Sequence, residues 1–282
     1  MLAMVLWGLE ELFLKQALAH RKGVTTTFLI NTIAGAVLSV LAIWFILDSK
    51  VTLISQSNLI LVTATAITAF VGYIFFYLAL QKQELSLISS LDEAWIIVSV
   101  IIATVAFGER LSALHLFSIF AVLIGAFLVS ADFTKIKGLK FISGSGYTIF
   151  AIVSTGITVP LEKVLVGRVG EANAIFYLYA LYFPLILIGK WLLKENFIKP
   201  SKALFKTAVF SGLADGSAFA FYLLAINSGN VSIIAPIVAS SVVVTVILGR
   251  VYLKEKMTLK ETVGTIFILC GVVVLSAISK GI

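Results

Sequence analysis

The chain has 282 residues, 60% of them hydrophobic and only 12% charged, with a formal net charge of +7 and a mean hydropathy of +1.11. Soluble domains run at roughly 45–50% apolar and about 25% charged residues, so this composition excludes a soluble globular protein and describes an integral membrane one. The positive charge sits in short loops, where it orients the chain and meets anionic headgroups; the expected partner is the lipid bilayer, with no nucleic acid.

Ten apolar segments follow in chain order: Leu2–Ala19, Thr27–Leu47, Leu59–Leu80, Leu85–Phe107, Leu114–Ala131, Gly144–Val166, Ala174–Leu193, Leu204–Ile226, Val231–Leu253 and Leu259–Ile278. Each is close to the ~20 residues that a helix needs to cross about 30 Å of hydrocarbon. The weak alternation of a membrane β-barrel is absent. The longest connections, Asp48–Asn58, Asp132–Ser143 and Lys194–Ala203, leave no room for a soluble domain. Met1–Leu18 carries Glu10, Glu11 and Lys15, unlike a cleaved signal peptide. The single cysteine, Cys270, permits no internal disulfide. The expected fold is an all-α, multi-pass membrane protein of ten transmembrane helices, placed in the plasma (cell) membrane.

The chain also repeats itself at a shift of 146 positions. Leu78-Ala79-Leu80 falls on Leu224-Ala225-Ile226, Leu85-Ser86-Leu87-Ile88 on Val231-Ser232-Ile233-Ile234, and Gly125 on Gly271. Such a repeat is one ancestral unit used twice. It carries segments three, four and five onto eight, nine and ten; segments one and two need about one residue of adjustment. Five spans per unit is an odd number, which forces the second unit into the bilayer upside down. Inverted repeats of this kind build secondary transporters, with the substrate near the midplane between halves. The expected units are residues 1–135 and 143–282.

A charge at the centre of a spanning helix costs about 2.5–3.5 kcal/mol on insertion scales, so mid-span charges need a partner, water or a task. Glu11 and Lys15 stand four apart on one face, which fits an internal ion pair. Glu10 lies about 100° round the helix from Glu11 and reads as a carboxylate facing a cavity. Trp7 shares that side, either as a wall or as an interfacial anchor. Asp92 and Glu93, with Trp95 one turn on, fit either cavity carboxylates or a hydrated first turn held by the helix dipole. Asp215 has no charged residue within four positions, and Phe219 and Tyr222 follow on its face. Tyr73 and Tyr77 form a stripe on the third segment that fits packing or an aromatic wall. The candidate binding residues are therefore Trp7, Glu10, Glu11, Tyr73, Tyr77, Asp92, Glu93, Trp95, Asp215 and Tyr222. The cavity is expected between segments one, three, four, six, eight and nine. Glu109 and Glu255, paired by the repeat, stand at helix–helix turns and read as structural. Ser118 with Gly125, and Gly264 with Gly271, put small residues on one face of segments five and ten, for close helix packing or a dimer contact. Both a monomer and a homodimer fit.

Fifteen Lys and Arg residues fall in the loops after the odd-numbered segments and five on the other side, Lys15 apart. The positive-inside rule then puts both termini outside.

Trp7-Gly8, Tyr77-Leu78-Ala79-Leu80, Gly108-Glu109-Arg110-Leu111 and Gly125 resemble the EamA-type repeat of the drug/metabolite transporter superfamily. Leu224-Ala225-Ile226, Pro236, Lys254-Glu255-Lys256-Met257 and Gly271 repeat the pattern. The resemblance spans essentially the whole chain. It implies a ten-helix carrier of small metabolites working by alternating access, with termini inside, opposite to the charge count. Two departures stand out. Ser90, followed by Asp92 and Glu93, stands where Pro236 stands in the second half, and Glu10 and Glu11 are additions to the first helix. The expected function is a secondary transporter, exporter or exchanger, of a small polar or cationic metabolite, with proton coupling through one of Glu10, Asp92, Glu93 or Asp215. A channel or a flippase for a lipid-linked substrate is the alternative. An enzyme is not expected: His20 and His115 lie near helix ends, and no metal or nucleotide motif appears. No cofactor or metal is expected.

Overall fold

The computed structural model describes residues 1–18, 23–44, 50–82, 92, 94–130, 145–253 and 259–279. Its elements are α1 (Leu2–Leu18), α2 (Val24–Ala42), α3 (Gln56–Lys82), α4 (Trp95–Phe107), α5 (Ala113–Ser130), α6 (Ser145–Leu192), α7 (Lys202–Ser228), α8 (Val231–Ala239), α9 (Ser241–Leu253) and α10 (Leu259–Ser279). Among the described residues there is no strand. Val24–Ala42, Gln56–Ala79, Gly146–Leu192 and Lys202–Ser228 are long and apolar enough to cross a membrane, and shorter apolar helices accompany them. Side chains that a soluble protein would hide face outward here: Leu53 is 97% exposed, Val105 81% and Phe117 68%. With lipid as the surrounding medium those surfaces cost nothing. The protein is a multi-pass integral membrane protein.

Two boundaries differ from the sequence expectation. The sixth and seventh segments run on as one element, α6, because no loop separates them. Gly170, at φ 78 and ψ 164, breaks the helix into arms 145–169 and 171–192; only glycine takes that backbone conformation without strain. Conversely, the ninth segment divides. Pro236 lies inside α8, where it cannot donate to the helical ladder. Ser240 donates its hydroxyl back to the Pro236 carbonyl at 2.8 Å, a local bond that bends helices, and α9 starts at Ser241. Ser201 caps α7 by accepting from the Leu204 amide, and Gly108, left-handed at φ 66, ends α4.

The packing is duplicated like the sequence. A Cβ on Gly8 would fall 2.7 Å from Val244 Cγ1 and 3.0 Å from the Ser241 carbonyl; a Cβ on Gly156 would meet Val98 Cγ1 and the Trp95 carbonyl at the same two distances. Thr245 donates to the Gly8 carbonyl as Ser99 donates to that of Gly156. Val98, Trp95 and Ser99 each stand 146 positions before Val244, Ser241 and Thr245. So α1 meets the α8–α9 junction as the first arm of α6 meets α4. Gly8 and Gly156 are 148 apart, so the first segment is offset by two residues rather than one. At one end, Thr26 accepts from the Ile198 amide as Asn173 accepts from that of Thr52.

The small faces of α5 and α10 pack on each other. A Cβ on Gly125 would collide with the Gly264 carbonyl, and one on Gly271 with the Ser118 carbonyl. That contact lies within one chain and contributes no residue to the cavity described next.

Candidate functional site

A cavity of about 930 Å³, part of it continuous with solvent, opens between the two halves. Its walls come from α1 (Trp7, Glu10, Glu11), α3 (Ala69, Gly72, Tyr73, Phe76), Asp92 with α4 (Trp95), the first arm of α6 (Thr155, Thr158, Val159, Glu162), α7 (Phe219, Tyr222) and the α8–α9 junction (Val238, Ala239, Ser241). These are the six segments expected to surround it. The helix break at Ser240 lies in the wall, where unwound backbone beside a cavity can be hydrated.

Four carboxyl side chains line this space, and no Lys, Arg or His does so among the described residues. Each of three acids is held by a hydroxyl from another helix. Ser211 of α7 donates to Glu10 Oε1 at 3.1 Å and itself accepts from Asn31 Nδ2 of α2 at 2.9 Å. Thr245 of α9 donates to Glu11 Oε2 at 2.9 Å. Tyr222 donates to Glu162 Oε2 at 2.9 Å. Glu10 and Glu162 are almost fully buried, at 8% and 4% exposure. Asp92 differs: its Oδ1 is buried and accepts no hydrogen bond from the described residues.

Asp215 stands just behind the wall. It accepts from Trp7 Nε1 at 3.0 Å, and the Trp7 ring lies 5.3 Å from that of Tyr222. Asp215, Trp7, Tyr222 and Glu162 thus form a continuous chain of contacts linking α1, α7 and α6.

Of the ten sequence candidates, Trp7, Glu10, Glu11, Tyr73, Asp92, Trp95 and Tyr222 come together around the cavity. Asp215 reaches it through Trp7. Tyr77, only 2% exposed, is turned away into an aromatic core against Phe28 and Phe76. Glu93 lies outside the described residues, as does Glu255. Glu162 and the threonines Thr155 and Thr158 were missed. Glu162 sits beside Lys163 near the expected end of the sixth segment; its three-residue spacing from Val159 and seven-residue spacing from Thr155 on one helical face was the available signal. Glu109 is structural, and more than a local turn residue: its carboxylate accepts from the amides of Val231 and Ser232 and caps α8.

A model of the EamA-like transporter family matches residues 1–131 and 142–277. Over 81 residues the chain is 35% identical to a protein of Sinorhizobium sp named "Uncharacterized transporter in cobO 3'region", a match that covers 28% of this chain and spans 57% of that relative's length. A solved structure described as "Crystal structure of protein" superposes with a TM-score of 0.79 at 17% identity, covering 99% of this chain and 95% of that one; at that identity it speaks to the fold alone.

Proposed function

The chain belongs to the EamA-like transporter family, and from that membership we propose that it is a secondary carrier, an exporter or exchanger, that moves a small cationic or polar solute by alternating access. In this reading the two arms of α6 count as two spans and α8 with α9 as one, giving ten crossings in two inverted five-helix repeats, 1–135 and 143–282. The duplicated contacts of Gly8 and Gly156 support that symmetry. Rocking of one repeat against the other would expose the interface between them to each side in turn.

The observation that carries the reading is the lining of the cavity: four carboxyls, six aromatic side chains (Trp7, Tyr73, Phe76, Trp95, Phe219 and Tyr222), and no basic side chain among its described residues. Such a space repels anions and favours a positive charge, which aromatic faces also attract. Carboxyls able to exchange a proton for a cation would couple transport to a proton gradient, and Glu10, Glu11, Asp92, Glu162 and Asp215 all lack an acidic counterpart at the repeat position in the other half.

The test is counterflow in proteoliposomes loaded with small amines, amino acids and uncharged analogues of the same size. A carrier gives saturable counterflow, preferring cations, that steepens with an imposed pH gradient. Flux without saturation or counterflow would instead identify a channel, and movement of a headgroup-labelled lipid a flippase; either would overturn the proposal.

A further inference from the structure

The acids around the cavity are not equivalent. Glu10, Glu11, Glu162 and Asp215 each accept a hydrogen bond from a side chain on a different helix, from Ser211, Thr245, Tyr222 and Trp7 respectively. Those bonds satisfy the carboxyls in part and tie α1, α6, α7 and α9 to one another. Asp92 lines the same space, yet its buried Oδ1 has no donor among the described residues. A buried acceptor left unmade costs about 1–3 kcal/mol, more when charged, so a native structure keeps one where something else donates to it.

The walls near it narrow the donor. Trp95, the first residue of α4, lines the cavity too. Trp7, Tyr73 and Phe76 complete an aromatic surround. Rings attract a cation over their faces, and they give an apolar body something to bury against.

Building on the cationic-solute reading above, we propose that Asp92 is the anchor for the solute's ammonium group and that the preferred solute is a primary or secondary amine carried on an apolar body. A quaternary ammonium would satisfy the rings but brings no N–H for Oδ1. A neutral alcohol can donate to Oδ1 but supplies no charge, and hydrogen bonds between ionised partners are roughly twice as strong as neutral ones.

The test uses the purified full chain in lipid nanodiscs with three probes of one shape: phenethylamine, its N,N,N-trimethyl analogue and 2-phenylethanol. Calorimetry measures affinity, and tryptophan fluorescence reports occupancy beside Trp7 and Trp95. Phenethylamine is expected to bind saturably, at least tenfold more tightly than either analogue. Asp92→Asn is expected to remove that preference while leaving 2-phenylethanol unchanged; Asp92→Glu is expected to keep it, and Lys199→Gln, on an exposed connection, to match the wild type. Equal binding of phenethylamine by Asp92→Asn and wild type would overturn the anchor and leave the cationic reading standing. Binding of none of the amines by the wild type would overturn the anchor, and counterflow of another cation would then leave the cationic reading standing. Should Asp92→Asn not fold, the wild type decides: a quaternary analogue bound as tightly as the primary amine overturns the proposal.

Discussion

Lys163 and Glu109 hold one turn from opposite helix ends. The Lys163 ammonium donates to the carbonyls of Ile226, Asn227 and Gly229, at 2.7, 3.0 and 2.9 Å, where α7 stops. The Glu109 carboxylate accepts from the amides of Val231 and Ser232, at 2.9 and 3.0 Å, where α8 starts. Each charge matches its helix end: a cation on orphan carbonyls, an anion on orphan amides. Lys163 comes from α6 and Glu109 from the residues after α4, so the α7–α8 turn is tied to two other elements beyond the cavity's Glu162 wall.

Removing either charge is expected to loosen that turn without disturbing the opposite end of the bundle. Lys163→Met leaves three carbonyls without their donor, and Glu109→Gln keeps one acceptor of two. Hydrogen exchange by mass spectrometry over residues 226–232 is expected to speed up by about tenfold for Lys163→Met, corresponding to about 1.4 kcal/mol, a figure at the low end for charge-assisted bonds because the site is partly open to solvent. Glu109→Gln is expected to give a smaller increase. Unchanged exchange in both variants would mean that the turn holds its shape unaided.

The paired glycines make a symmetric prediction. Gly8→Ala drives a methyl into Val244 and Gly156→Ala drives one into Val98, in matching surroundings. Overpacking of this kind costs about 1–3 kcal/mol. Both variants are expected to melt at lower temperature by similar amounts in scanning fluorimetry, whereas Gly146→Ala, with open space around its Cβ, is expected to melt like the wild type. A large drop in one variant alone would break the equivalence of the two contacts.

Ser211 supplies a third case. It accepts from Asn31 and donates to Glu10, both buried. Ser211→Ala strands a donor and an acceptor together, at about 1–3 kcal/mol for each unsatisfied group. Ser217→Ala, which removes only a bond to its own helix at the Leu213 carbonyl, is expected to cost far less. Comparable melting temperatures for the two would show that the Asn31–Ser211–Glu10 chain adds no net stability.

How far these features were legible depends on their range. Apolar runs of spanning length and the 146-residue repeat are local or self-referential, so the helices, the six cavity-lining segments and the α5–α10 contact through Gly125 and Gly271 could be read directly. Buried charge is also a local signal, since Glu10, Glu11 and Asp92 are costly wherever they sit in a span. Direction round a helix is not. Tyr73 and Tyr77 share a stripe four residues apart and both meet Phe28, but Tyr73 also lines the cavity while Tyr77 does not. Glu162 escaped because its partner, Tyr222, lies 60 residues away and no local pattern joins the two. Nor could the joined α6 be read: the backbone conformation at Gly170 replaces the connection expected between Val166 and Ala174.

Asp215 separates the two tasks that a buried acid can have here, holding a neighbour and carrying charge. Asparagine keeps an oxygen that can accept from Trp7 Nε1 but loses the charge; alanine loses both. Asp215→Asn is therefore expected to leave the tryptophan emission maximum where it is in the wild type, while uptake into proteoliposomes loses its response to an imposed pH gradient. Asp215→Ala is expected to shift the emission as well, because the indole is released from the position it takes against Tyr222, and to lower uptake by about tenfold, the loss of one hydrogen bond to a charged group. Trp7→Phe is expected to reproduce the fall in uptake with the pH response intact, since it removes the donor and spares the carboxylate. Wild-type gradient dependence in Asp215→Asn would confine Asp215 to positioning Trp7 and leave Glu10 and Asp92 as the acids that couple.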